Sequence, residues 1–223
     1  MAETSRQRKA TEKRRTILDG AVRVFARQGY HSTRVADIAD EAGVAYGLVY
    51  HYFESKEAVL NELFSERWAL LLEASEEVHR GDGSPRQKLD GIARFIIDSY
   101  RRDPDLMKVI IIEVTRAANS FGRTHLPEIR RAYGVVGGIV AEAQQAGEFR
   151  TGIDPDYVGM WFYGAIEQLL SGWVFGLIPS TDEEFERVRG MLIEQICGGL
   201  ESAESGPRDP SATATPPSSV DRR

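Results

Sequence analysis

The sequence predicts an all-α protein of about nine helices, and three observations predict it. Apolar residues recur with the 3.6-residue period of a helix along almost all of the chain between its two ends. Capping side chains stand directly before proline at Ser84-Pro85, Asp103-Pro104 and Asp154-Pro155, and a proline so placed opens a helix because its missing N–H would have had no partner there. No stretch alternates apolar and polar residues with period two between hairpin turns, so a sheet is not expected.

The elements follow in order. Residues 1–14 are polar and basic and are expected to form a flexible arm. Ile17, Ala21, Val24 and Phe25 make the first apolar stripe, ended by Gly29, where a left-handed residue closes a helix cheaply. Val35, Ile38, Ala39 and Ala42 make the second, with Ser32 or Thr33 as its cap and Gly43 as its stop. A short third helix runs from Ala45 to about Tyr52. Ser55 then caps a long fourth helix from Lys56 to about His79. Later starts are expected near Pro85, Pro104, Pro127, Pro155 and Asp182, with Ser84 and Gln87, and Thr181 and Glu184, spaced as capping boxes. Residues 202–223 hold prolines, serines and threonines but almost no large apolar side chains, so they are expected to stay disordered.

Composition narrows the function. The one cysteine, Cys197, excludes an internal disulfide framework and a cysteine-cluster zinc site, which fits a reducing cytoplasm. Tyr157 to Ile178 approaches the length of a membrane span but carries Glu167, Gln168 and four glycines, so it reads as a buried interface helix. Net charge is −6, unpromising for a nucleic-acid partner until the chain is divided. Residues 1–56 hold ten Lys or Arg against seven Asp or Glu, an excess of +3, and the remainder carries −9. Arg6, Arg8, Lys9, Lys13, Arg14 and Arg15 supply most of that excess. A basic end on an acidic body is an electrostatic footprint for phosphate.

Between Thr33 and Phe53 the spacing becomes specific. A helix-turn-helix needs a small residue where its helices cross, a glycine in the turn, and an apolar residue on the second helix that packs back. Ala39, Gly43 and Val49 supply these at offsets of four and six. The surrounding segment, Arg15 to Phe64, resembles the DNA-binding domain of the TetR/AcrR family. The resemblance rests on Ile17-Leu18, Ala21, Phe25, Gly29-Tyr30, Thr33, Ile38-Ala39, Ala42-Gly43-Val44, Gly47, Val49-Tyr50, Tyr52-Phe53 and Lys56-Glu57. Two positions depart from the family pattern: Arg34 stands where a second threonine is frequent, and Ala45 where a serine is frequent. Ala45 thereby lacks a hydroxyl for capping or phosphate contact.

The resemblance implies a division of the chain into the arm, a helix-turn-helix domain over 15–56, a ligand-binding and dimerisation domain over 57–201, and the tail. It also implies that the start of the third helix enters the major groove of double-stranded DNA. Ala45, Tyr46, Gly47 and Leu48 would face base edges, and Tyr50, His51, Tyr52, Lys56 and Thr33 would meet phosphates. Tyr50 and Tyr52 lie two apart on a helix and cannot share a face, so one of them packs inward.

The body carries no catalytic constellation and is read as a binding domain rather than an enzyme. His31, His79 and His125 are too scattered for a metal site, and no cofactor is expected. Tyr157 to Phe175, with Gly164 and Gly172, and the stripe Phe185, Val188, Leu192 and Ile196 are expected to form a dimer seam or to be simple intramolecular core, and both can hold at once. A two-fold pair of such heads reads an inverted repeat. The apolar run Val109 to Ile112 and the aromatics Trp161, Phe162, Tyr163, Trp173 and Phe175 fit either plain core or a hydrophobic tunnel, and both readings stay open.

Over Glu113 to Val174 the chain is similar to FadR-type members of the same family, which repress fatty-acid degradation and leave DNA on binding long-chain acyl-CoA. That likeness implies a small hydrophobic effector held by Arg116, Asn119, Arg123, Tyr133 and Trp161, with movement of the fourth helix spoiling the spacing of two heads one DNA turn apart. The alternative is a repressor of an efflux or catabolic operon that senses a lipophilic drug or an aromatic compound.

Overall fold

The computed structural model describes residues 2–116 and 125–200, with side chains over 7–112 and 125–200. Nine helices account for these residues: α1 (Ala2–Gln28), α2 (Val35–Glu41), α3 (Tyr46–Tyr52), α4 (Lys56–Arg80), α5 (Pro85–Arg102), α6 (Pro104–Arg116), α7 (Leu126–Gln145), α8 (Pro155–Val174) and α9 (Asp182–Leu200). No β-strand occurs among the described residues.

The capping chemistry is where the sequence puts it. Ser84 Oγ accepts from the Gln87 N–H while the Gln87 side chain accepts from the Ser84 N–H at 2.9 Å. Asp154 takes the Asp156 N–H at 2.9 Å, Thr181 the Glu184 N–H at 3.2 Å, and Ser55 the Ala58 N–H at 3.1 Å. Each satisfies a donor that the first helical turn leaves without a partner.

Two local expectations need correction. The basic arm is not an irregular segment, because α1 runs back to Ala2. Residues 2–14 contain no glycine or proline and several good helix formers, so nothing stops the helix from propagating outward from its packed half. The cap of α2 is Arg34, not Ser32 or Thr33. Asp37 replaces the missing hydroxyl by reaching back to accept the Arg34 N–H at 2.8 Å.

Two apolar cores result. The N-terminal one gathers Ile17, Leu18, Ala21 and Phe25 of α1, Ile38 and Ala39 of α2, Val49 of α3, and Val59, Leu60, Leu63 and Phe64 of α4. The larger one joins α5, α7, α8 and α9 through residues such as Ile92, Ile97, Val136, Ile139, Phe162, Ile166, Val188 and Leu192. Packing of α7 on α8 is tight at Gly159, where a Cβ would lie 2.5 Å from the Tyr133 carbonyl oxygen, so only glycine fits. Arg189, buried on α9, is gripped by both carboxylate oxygens of Asp90 on α5 at 2.6 Å and by Glu186.

The cores do not part at residue 56. Helix α4 contributes its first half to one and Leu72 to the other, with Trp68 packed against both. Helix α6 does likewise: Leu106 and Val109 belong to the N-terminal core, and Ile111 to the larger one.

Candidate DNA-reading head and effector cavity

The turn between α2 and α3 is built as the spacing requires. Gly43 adopts a φ of +63°, in the left-handed region that favours glycine. Ala39 and Val49 are each 1% exposed, so α3 is fastened to α2 by one face only. Its other face is presented outward. Ala45, Gly47 and His51 are exposed, Tyr46 and Tyr50 are 53% and 46% exposed, and Leu48 is half-buried. The Tyr46 hydroxyl donates to the Tyr50 hydroxyl at 3.2 Å, and that bond pushes the Tyr46 phenol pKa up from its ordinary value. Tyr52 is the tyrosine that packs inward, against the N-terminal core.

Two expected phosphate contacts are already committed inside the protein. The Thr33 side chain is buried, and its hydroxyl donates to the Gly29 carbonyl at 2.8 Å. The Lys56 ammonium donates to the carbonyls of Tyr30 at 2.7 Å, His31 at 3.2 Å and Thr33 at 2.8 Å, and it lies 4.5 Å from the centre of the Tyr30 ring. The reason is local: the loop between α1 and α2 turns three carbonyls toward the start of α4, and an ammonium has three protons to give. Lys56 is therefore a positioning residue that ties α4 to the loop in front of the reading helix.

In the body a cavity of about 180 Å³ opens between α4, α5, α6, α7 and α8. Its wall is aromatic and aliphatic, with Trp68, Phe95, Met107, Ile110, Tyr133 and Tyr163 among its side chains, and Arg67 and Glu167 are its charged members. Tyr133 and Tyr163 lie with ring centres 5.4 Å apart. Burial pushes the Tyr163 phenol up to about 12, and its hydroxyl sits beside Ser75 without a well-formed hydrogen bond. Burial, then the nearby Glu167 carboxylate, raises Tyr133.

Of the five residues expected to hold an effector, Tyr133 stands on this wall. Trp161 does not. It is 60% exposed, because residues 161 and 163 point to opposite sides of α8 and Tyr163 takes the inward one. Asn119 and Arg123 lie outside the described residues, as does the side chain of Arg116 at the end of α6. Arg67, Trp68 and Phe95 were not picked out from the sequence. The signal available was Trp68 beside an arginine on the stripe of α4 that faces the body.

Trp161 belongs instead to an exposed apolar side of α8 that it shares, by helix spacing, with Tyr157 and Met160; Phe175 and Met191 are also exposed. The Cβ position of Gly164 on the same side has open space around it. The stripe Phe185, Val188 and Leu192 expected at the seam is buried in the chain's own core, so the face α9 presents is the opposite one.

Residues 17–63 match the family model for bacterial regulatory proteins of the tetR family, and residues 85–168 match that for the tetracyclin repressor-like C-terminal domain. The fatty acid metabolism regulator protein of Bacillus subtilis (strain 168) is 30% identical over 187 residues, 82% of this chain and 93% of that one. The chain belongs to the TetR family. The crystal structure of FadR from Bacillus subtilis in complex with stearoyl-CoA superimposes with a TM-score of 0.74 at 26% identity, covering 83% of this chain and 98% of the other. FadR of Bacillus halodurans gives 0.73 at 23% identity, covering 83% and 98%, and shows the same fold.

This TetR-family chain is thus a DNA-binding transcriptional repressor and not an enzyme. Regulators of the family bind operator DNA as dimers and take small effectors. No helix among the described residues is long and apolar enough to cross a membrane, and no group of side chains there is arranged to hold a metal ion.

Proposed function

We propose that this repressor acts in the cytoplasm on genes of fatty-acid degradation and that acyl-CoA, bound in the cavity between α4 and α8, releases it from an inverted-repeat operator. The observation that carries the reading is the double membership of α6. Met107, Ile110 and Ile111 line the cavity, while Leu106 and Val109 of the same helix are set into the core of the reading head. Between them the Lys108 ammonium donates to the Ala26 carbonyl near the end of α1, at 2.8 Å. A ligand that shifts α6 by filling the cavity must therefore strain or drag the head. Helix α4, whose first half is head core and whose Trp68 is cavity wall, is a second connection. The ligand shifts the equilibrium only by binding the displaced arrangement more tightly than the DNA-competent one.

The apolar wall suits an acyl chain, and the stearoyl-CoA complex of the 26% identical relative supports that class of effector. Arg116, Asn119 and Arg123 remain the residues proposed for the CoA end, because arginine pairs with phosphate through two parallel hydrogen bonds. The dimer would form on the face carrying Tyr157, Met160 and Trp161, and Ala45, Tyr46, Gly47 and Leu48 would meet base edges, with Tyr50 and His51 toward phosphate.

A gel-shift titration of the protein on a palindrome from its own promoter tests this. Acyl-CoA should dissociate the complex and free CoA should not; an unchanged shift with every acyl-CoA refutes the effector. The compact, aromatic-rich wall also favours a second reading, a lipophilic drug or aromatic effector for an efflux or catabolic operon. A thermal-shift panel of such compounds against acyl-CoAs separates the two.

A further inference from the structure

Resting on the reading that α3 meets base edges with Tyr46 and phosphate with Tyr50, we propose that the Tyr46 hydroxyl sets a base preference. It accepts a hydrogen bond from an exocyclic amino group, that of adenine or cytosine. Polar side chains are scarce on this stretch. Ala45, Gly47 and Leu48 carry no polar side-chain atom, so of the four residues placed against base edges only Tyr46 can form a hydrogen bond through its side chain.

A count of protons then fixes the sense of that bond. Tyr46 and Tyr50 stand four residues apart on the exposed side of α3, with ring centres 5.1 Å and hydroxyl oxygens 3.2 Å apart. Each phenol has a single proton to donate. A phosphate oxygen only accepts, so Tyr50 spends its proton on the DNA backbone. The bond between the two hydroxyls must then use the proton of Tyr46, which is the direction in which Tyr46 donates in the structure. The Tyr46 oxygen is left with lone pairs alone to offer a base. In the major groove an acceptor is matched by adenine N6 or cytosine N4, and it meets another acceptor at thymine O4 or guanine O6. The chain of bonds runs from base amine to Tyr46, to Tyr50, to phosphate, and each bond polarises the next.

Gel shifts test this with the full-length protein, Tyr46→Phe and Tyr50→Phe on a palindrome from its own promoter, each half-site base pair being changed symmetrically to the other three. Wild type should show a position where adenine and cytosine are accepted on one strand and guanine and thymine are not. The split should be about fivefold per half-site, hence about twenty-five-fold for the symmetric operator. Tyr46→Phe should erase it. Tyr50→Phe should weaken binding to every sequence alike through the lost phosphate bond, and should also flatten the split, because the freed Tyr46 proton can turn to a keto oxygen. A plain phosphate contact at Tyr50 would lower affinity and leave the split intact, which overturns the proposal. A wild-type scan without an amino-against-keto position overturns it too, as does a split that survives Tyr46→Phe. If both variants bind every operator as wild type does, neither hydroxyl touches DNA, and the underlying reading of α3 falls as well. The wild-type scan decides the matter if a variant does not fold.

Discussion

Replacing Lys56 by methionine separates two roles that one residue of a reading head can have. In the structure its ammonium donates three hydrogen bonds, to Tyr30, His31 and Thr33, at 2.7, 3.2 and 2.8 Å. Methionine keeps most of the stem and removes all three. A hydrogen bond from a charged donor contributes about 1.5–3 kcal/mol, but these three share one partly exposed ammonium, and water can reach some of the released carbonyls. A total loss of about 3 kcal/mol follows, which for a chain of this size lowers Tm by about 6–12 °C. Lys56→Arg should recover part of it. The discriminating measurement is the salt dependence of operator binding beside thermal unfolding. A lysine on a phosphate contributes about 0.9 to the slope of log K against log salt. Lys56→Met should leave that slope unchanged while Tm falls. A variant as stable as the wild type, with a slope lower by about one, would refute the assignment and return Lys56 to the DNA.

Gly43→Ala should cost about 1–2 kcal/mol, since the +63° φ is kept at the expense of a Cβ, and chemical denaturation would register it as a lower midpoint. Trp161→Asp puts a charge on the exposed face of α8; sedimentation should show the dimer giving way to monomer, with operator affinity falling in step and the monomer still helical by circular dichroism. Tyr163→Phe concerns alkaline stability. The folded phenol titrates at about 12 against an ordinary value of 10, so the folded state holds its proton longer. That contribution to stability is complete below pH 10 and is lost between about pH 10 and 12. Wild type should therefore lose more stability than Tyr163→Phe across that window, and parallel losses would contradict the burial of the phenol. Arg189→Met removes the two short bonds to Asp90, which is a third exposed and keeps Arg94 at 3.7 Å, and should cost about 2 kcal/mol in urea unfolding.

The all-α fold was legible because its punctuation is chemical and local. Ser84, Asp154 and Thr181 cap the helices they precede, and Gly29 and Gly43 turn left-handed where the apolar stripes stop. The outward face of α3 was legible for the same reason, since Ala39, Gly43 and Val49 leave it nowhere else to point. What sequence reasoning missed depends on where distant groups meet. Lys56 looks available until three carbonyls from residues 30 to 33 are seen converging on it. Trp161 and Tyr163 are equally aromatic in the sequence, and only the packing of α7 against α8 decides which one the cavity receives. On α9 an apolar stripe marks burial without naming the neighbour, and the neighbour of Val188 and Leu192 is the chain's own core. Residues 2–14 are helical because they hold no helix breaker, a signal that their high charge masks in the sequence.

The sharing of α6 between two cores bears on how such regulators can be recombined. A junction at the start of α4 is the obvious place to exchange one sensor for another, yet Leu106, Lys108 and Val109 would then arrive from the foreign part and have to fit a native α1. A hybrid made that way would carry a mismatched tenon in its joint, and it would fail by losing its response before losing its grip on DNA. Transplanting those three side chains together with the head is what would let the borrowed sensor speak to it.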